Sequence, residues 1–131
     1  MTRPIQIAQE MSLLLPTMIR HMFPYVFQPI NLPPSQIIAL VSIHEKGTCR
    51  LSELRKEMHV SAPTITGIAD KFDRRVTNIA LTAKGQGVVK EFRKNIKKRW
   101  SYVLTKLPPE TRENLIHVVR KITRGFSDGV I

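Results

Sequence analysis

Residues 51–85, LSELRKEMHVSAPTITGIADKFDRRVTNIALTAKG, constrain the fold of this chain more than any other stretch. Leu51, Leu54 and Met58 form the inner stripe of a short helix, about 51–58, and His59-Val60 makes a tight turn. Ser61 is placed to cap a second helix, about 62–72, because its hydroxyl can accept from a free first-turn N–H. Pro63 falls in that first turn, where a missing N–H costs little. Ile65, Ile68, Ala69 and Phe72 follow at i, i+3, i+4 and i+7, so this face turns to a core. The opposite face is small and mostly polar: Pro63, Thr66, Gly67 and Asp70, edged by Thr64 and Lys71. Two short helices joined in this way, the second with such a face, form a helix-turn-helix. Small residues let the second helix sit deep in a DNA major groove, where hydroxyls meet base edges or phosphates.

Charge points to the same class of partner. The chain has a formal net charge of +11 and a sequence pI of about 10.4, which suits a polyanion. It is long enough for one domain with its own core. No apolar run reaches the roughly 18 residues of a membrane span. The start, MTRPIQIAQEMSLLLP, lacks the continuous apolar core and cleavage site of a signal peptide. One cysteine cannot form an internal disulfide, so a soluble protein of a reducing cytoplasm is expected. An enzyme is not. The four histidines, His21, His44, His59 and His117, show no metal-ligand spacing, and no phosphate loop, nucleophile elbow or paired carboxylates occur. Neither a cofactor nor a metal is implied.

Four further helices bracket the central stretch. Over 4–27, Ile7, Met11, Leu14, Leu15, Met18 and Met22 make one apolar stripe. Pro4 suits the first turn, while Pro16 removes an interior donor and is expected to kink the helix. Residues 28–33 are a connector, and Pro34 opens a second helix that Gly47 stops. Ile37, Ile38, Leu40, Val41 and His44 cover much of its circumference, so it is expected to be central. Thr82 caps a long fifth helix, about 83–107, with Val89, Phe92, Ile96, Trp100, Val103 and Leu107 spaced like a heptad stripe. Its other face carries Lys90, Arg93, Lys94, Lys97, Lys98 and Arg99, which suits electrostatic steering. Pro108-Pro109 starts the sixth helix, whose stripe is Leu115, Val118, Val119, Ile122 and Phe126. The stripes at both ends exceed what one small domain covers, so a second copy of the chain is the expected cover.

The segment 75–81 reads as a strand, with Thr77, Ile79 and Leu81 on one face. A strand must pair, because a lone one leaves its backbone groups unsatisfied. The best candidate partner is Thr48 to Arg50, too short for a hairpin, and Phe72 runs into Asp73 with no turn residue.

From Gln36 to Gly85 the chain resembles the MarR family of winged helix-turn-helix transcription regulators. The residues that carry this are SQIIALVSIHEKG, LSEL, VSAPTITGIADKF and DRRVTNIALTAKG. The last contains a wing-like pattern in Asp73, Arg75, Leu81, Thr82 and Gly85. Arg50, where the family often has a Thr or Ser cap, and Arg55, where it often has Ala, depart from it.

The resemblance implies a mainly α fold of six helices with a small β wing. Residues 1–131 form one domain, 34–85 the winged helix-turn-helix, and 1–33 with 86–131 the dimerisation helices. It also implies a Gly turn, a first wing strand and a basic tip between Phe72 and Asp73. These are missing from the sequence. Either the working protein carries a hairpin there, or the wing has been lost.

The implied function is sequence-specific regulation of transcription, as a repressor, by a homodimer on a near-palindromic double-stranded operator. Thr64, Thr66 and Gly67 would approach base edges, with Pro63 among the DNA-contacting residues of the same helix. Ser52, Ser61 and Lys71 would hold phosphates. Arg75 would reach the minor groove with Asp73 orienting it and Arg74 beside it. Release by a small aromatic or phenolic ligand is a further implication, with Met18, His21, Met22, Phe27 and His44 as candidate lining. Thiol-sensing relatives keep their cysteine near the first helix, so Cys49, in the link before the third, is read as incidental. The alternative function is a non-specific nucleoid-type protein, held by phosphates alone.

Overall fold

The computed structural model describes residues 2–50, 52–54 and 79–131 of the chain. These fall into two compact units, Met1–Ile96 and Lys97–Ile131. Among the described residues are helix α1, Pro4–Val26; α2, Pro34–Lys46; α3, Ala83–Thr105; and α4, Pro109–Ser127. Residues 52–54 are also helical, within the span expected for the third helix. The expected fourth helix and the Phe72–Asp73 junction lie outside the described residues.

Helix α1 begins as its sequence dictates. Pro4 occupies the first turn, and the Gln6 side chain accepts from the Arg3 backbone N–H at 2.8 Å. The helix runs on through both Pro16 and Pro24. Ser12 and Thr17 hydroxyls donate back to the Gln9 and Leu13 carbonyls around the first of these, at 2.6 and 3.5 Å. The connector then tightens. The N–H of Ile30 donates to the Phe27 carbonyl and that of Leu32 to the Ile30 carbonyl, at 3.0 and 2.9 Å. Ile30 is buried in one core cluster with Val26, Ile37 and Phe92. Phe27 packs between Phe23 and Phe92, with ring centroids 5.1 and 5.3 Å away.

Helix α2 is central, as expected: Ile37 and Leu40 are in the core and Val41 packs against it, while Ile38 and His44 are not buried. Ile37, Ala39, Leu40 and Ile43 are fully buried and Ser42 nearly so, whereas Ile38 and His44 are exposed. The buried face follows Ile37, Leu40 and Ile43 at i, i+3 and i+6. Gly47 ends the helix at φ +76°, and its N–H donates to the His44 carbonyl at 3.3 Å. A side chain rarely adopts that backbone, so glycine is required there.

The second core cluster joins α2 to the strand and to α3. It contains Ala39, Leu40, Ile43, Cys49, Leu54, Ile79 and Val89, with Leu81 and Val88 packed against it. Thr82 caps α3, its hydroxyl accepting from the Gly85 N–H at 3.2 Å and its carbonyl from the Gln86 N–H at 2.9 Å. Asn95 reaches back to the Val26 carbonyl at 3.4 Å.

In the second unit, α3 ends before a double-proline corner. The Arg112 guanidinium Nε donates to the Leu104 and Leu107 carbonyls, at 2.8 and 2.9 Å, satisfying two groups a helix end leaves open. Pro108 precedes α4 and Pro109 is its first residue. No residue of α4 is buried, and its apolar stripe is bare: Val118 is 51% and Phe126 64% exposed.

Candidate nucleic-acid interface

The segment expected to read DNA leaves and returns at one point. The Cys49 N–H donates to the Ile79 carbonyl at 3.0 Å, and the Ile79 N–H to the Cys49 carbonyl at 2.6 Å. This is an antiparallel bridge. It places the last residues of the expected strand against the Thr48–Arg50 link, the partner that pairing demanded. Both side chains enter the core, each 3% exposed. Ile79 and Leu81 therefore share the side that alternation assigned to them; Thr77 lies outside the described residues.

Just past the bridge, the Leu54 N–H donates to the Arg50 carbonyl at 3.1 Å, the bond of a first helical turn. The Glu53 carboxylate accepts from the Arg50 backbone N–H at 3.4 Å. Arg50 thus occupies a cap position where its own side chain cannot cap, and the acid three residues on supplies the missing acceptor. Sequence inspection weighed Arg50 as a poor cap and overlooked Glu53, whose spacing was the signal. Leu54 is fully buried and anchors this turn, at roughly 1.5–3 kcal/mol for such a side chain. Ser52, beside it, is exposed, as a phosphate contact requires. Ser61, Pro63, Thr64, Thr66, Gly67, Lys71, Asp73, Arg74 and Arg75 lie outside the described residues.

Charge is not spread evenly over the chain. Residues 51–82 carry five Lys or Arg against four Asp or Glu, a net of +1. Helix α3 carries seven against Glu91 alone, a net of +6. More than half of the chain's +11 therefore sits on one helix. Lys90, Arg93, Lys94, Lys97 and Lys98 are all exposed on it, opposite the buried Val89 and Phe92. Further along, the Arg99 guanidinium and the Lys106 ammonium each lie over the Tyr102 ring, 5.2 and 5.1 Å from its centroid.

The five residues suggested for a ligand differ in their surroundings. Met18 and His21 are exposed on α1, Met22 and Phe27 are half-buried, and Phe27 is committed to the aromatic packing described above. His44 instead borders a hollow of about 430 Å³ with Gln86, Lys90 and Arg93 of α3. A second hollow, of about 570 Å³, lies along α1 between Pro16, Ile19, Arg20, Phe23, Pro24 and Gln28, and contains none of the five. Among the described residues no group of three or more His, Cys, Asp or Glu could hold a metal ion. No described helix is long and apolar enough to cross a membrane.

Comparison with known proteins agrees with this arrangement. The model of the MarR family matches residues 32–75. A MarR family protein of Bacillus stearothermophilus superposes with a TM-score of 0.76 at 19% identity, covering 96% of this chain and 99% of that one. The YusO protein of Bacillus subtilis gives 0.64 at 22% identity, covering 94% and 99%. The multiple antibiotic-resistance repressor MarR of Listeria monocytogenes gives 0.61 at 15%, covering 97% and 99%. At these identities the likeness is one of fold. A search of the curated proteins finds no match.

Proposed function

We propose that this chain, which the MarR family model matches over residues 32–75, is a transcription regulator that acts as a homodimeric repressor of a near-palindromic operator. The observation that carries this reading is the closed base of the reading segment. The bridge from Cys49 to Ile79, together with the buried Leu54 and the core face of α2, sets the two residues that flank 50–78 in one core cluster. A reading helix carried there presents Thr64, Thr66 and Gly67 to base edges, with Pro63 in its first turn. Ser52, Ser61 and Lys71 hold phosphates, and Arg75, oriented by Asp73 and flanked by Arg74, enters the minor groove.

A second copy supplies the partner groove. The bare apolar stripes on α1 and on α4 favour a dimer, since contiguous apolar surface of this kind marks an association site. Two-fold symmetry then sets two reading helices about 34 Å apart along one face of the duplex. The name of the Listeria structure supports repression rather than activation. Release by a small aromatic or phenolic ligand belongs to the same proposal, with Met18, His21 and Met22 on α1 able to line a pocket only once a second copy closes it. The protein works in the cytoplasm.

Footprinting on DNA upstream of the protein's own gene tests this. Protection of a short near-palindrome is expected. Uniform protection, with no preferred sequence, favours the rival reading, a non-specific nucleic-acid-coating protein, for which the +11 charge alone would suffice.

A further inference from the structure

One hollow in the first unit is lined by charge. His44, two residues before the end of α2, borders about 430 Å³ of space with Gln86, Lys90 and Arg93. The three α3 residues fall at i, i+4 and i+7, so a single helix face presents them together. Gly87 sits among them, and a Cβ there would meet nothing within 4 Å, so the absent side chain leaves the space open. Val89, buried beneath, gives an apolar wall. No described lining residue is acidic. The helix N-terminus is not what would hold an anion, because the Gly85 and Gln86 amides are already taken by Thr82. The donors are side chains: a guanidinium fork, an ammonium, a carboxamide and an imidazole.

We propose that this hollow is a phosphate-binding site, separate from the residues that read bases. Four donors of differing geometry suit the several oxygens of a phosphate better than the two of a carboxylate. The phosphate belongs either to a small phosphorylated molecule or to a DNA backbone. Only in the second case does the proposal rest on the DNA-binding reading above.

The experiment compares the whole protein with two double variants. Lys90→Gln/Arg93→Gln empties the hollow of its cations. Arg120→Gln/Lys121→Gln removes the same charge from exposed positions on α4. In the first arm, thermal unfolding is followed as inorganic phosphate replaces chloride at constant ionic strength. In the second, affinity for a scrambled duplex is measured across salt concentration. A saturable rise in Tm with phosphate, kept by the α4 variant and lost by the hollow variant, supports a site for a free phosphate group. A salt slope shallower by roughly 1.8 in the hollow variant alone, the value for two lost contacts, supports a backbone phosphate. Equal behaviour of the two variants in both arms overturns the proposal, as does a wild-type protein indifferent to phosphate whose slope neither variant alters. A conservative Lys90→Arg/Arg93→Lys variant that retains the response excludes misfolding as the cause. Operator footprinting of the hollow variant reports separately on the regulator reading. A phosphate response without a protected operator sinks that reading and leaves this one standing.

Discussion

Cys49 and Ile79 exchange both backbone hydrogen bonds while their side chains sit in the same core cluster. The contact does two jobs at once: it closes the base of the reading segment and fills the space between α2 and α3. Ile79→Ala is therefore expected to cost about 2–5 kcal/mol of unfolding free energy, and Ile79→Val about 0.5–1.5. Urea titration followed by circular dichroism measures both. Costs of equal size for the two variants would mean that the side chain is not packed as described.

The two ends of helices on this floor carry separate costs. Gly47 holds φ +76° with open space where a Cβ would go, so Gly47→Ala is expected to cost about 1–3 kcal/mol through the backbone alone. Thr82→Ala, which removes the acceptor for the Gly85 N–H, is expected to cost about 0.5–2 kcal/mol, and Thr82→Ser to recover most of it. Thermal melts of the three variants check these values.

Dimerisation is open to direct measurement. Leu14 is 59% exposed and Val118 51%, so a charge at either is harmless to a single chain and disruptive to a covered interface. The Leu14→Glu/Val118→Glu variant is expected to sediment as one 15.0 kDa chain, and the wild type as two. The wild-type Tm should also rise with protein concentration, since association stabilises the folded form. Identical sedimentation of the two proteins would place the interface elsewhere.

Reading and holding of DNA separate by substitution. Thr64→Ala is expected to relax discrimination at one operator position by about 1–3 kcal/mol. Lys71→Gln should weaken all sequences alike and reduce the salt slope by roughly 0.9. Arg75→Ala is expected to weaken operator binding by about 1–3 kcal/mol. Fluorescence anisotropy on operator and scrambled duplexes distinguishes the three patterns.

The ends of elements were legible in the sequence, because each is fixed by one local rule. Pro4, Pro34 and Pro109 open their helices, Gly47 and the 108–109 corner stop two, and Thr82 caps as its hydroxyl and position require. The demand that a strand be paired led to Thr48–Arg50, and Cys49 lies on Ile79. What local rules do not fix is which side of an apolar helix meets its neighbours. Apolarity spread around α2 implicated Ile38 and His44, but the core that holds Leu54, Ile79 and Val89 takes in Ala39 and Ile43 instead. Glu53 escaped notice because its role depends on the backbone of Arg50. The hollow at His44 was hidden for a similar reason: a run of cations reads as a solvated face until another helix is placed across from part of it.

The bridge at Cys49 also bears on how such regulators diversify. The bridge brings Cys49 and Ile79 together, so the chain between them closes at that point whatever its length. The entropy of closing a loop grows only with the logarithm of its length, so removing or restoring about a dozen residues at Phe72–Asp73 changes that term by only a few tenths of a kcal/mol. Insertions and deletions in the wing are thus nearly silent in that term, and what they cost is decided by whether the 75–81 segment keeps a pairing partner. The length of that arm is then a matter of the DNA it touches and of the pairing it offers, not of the entropy of closure.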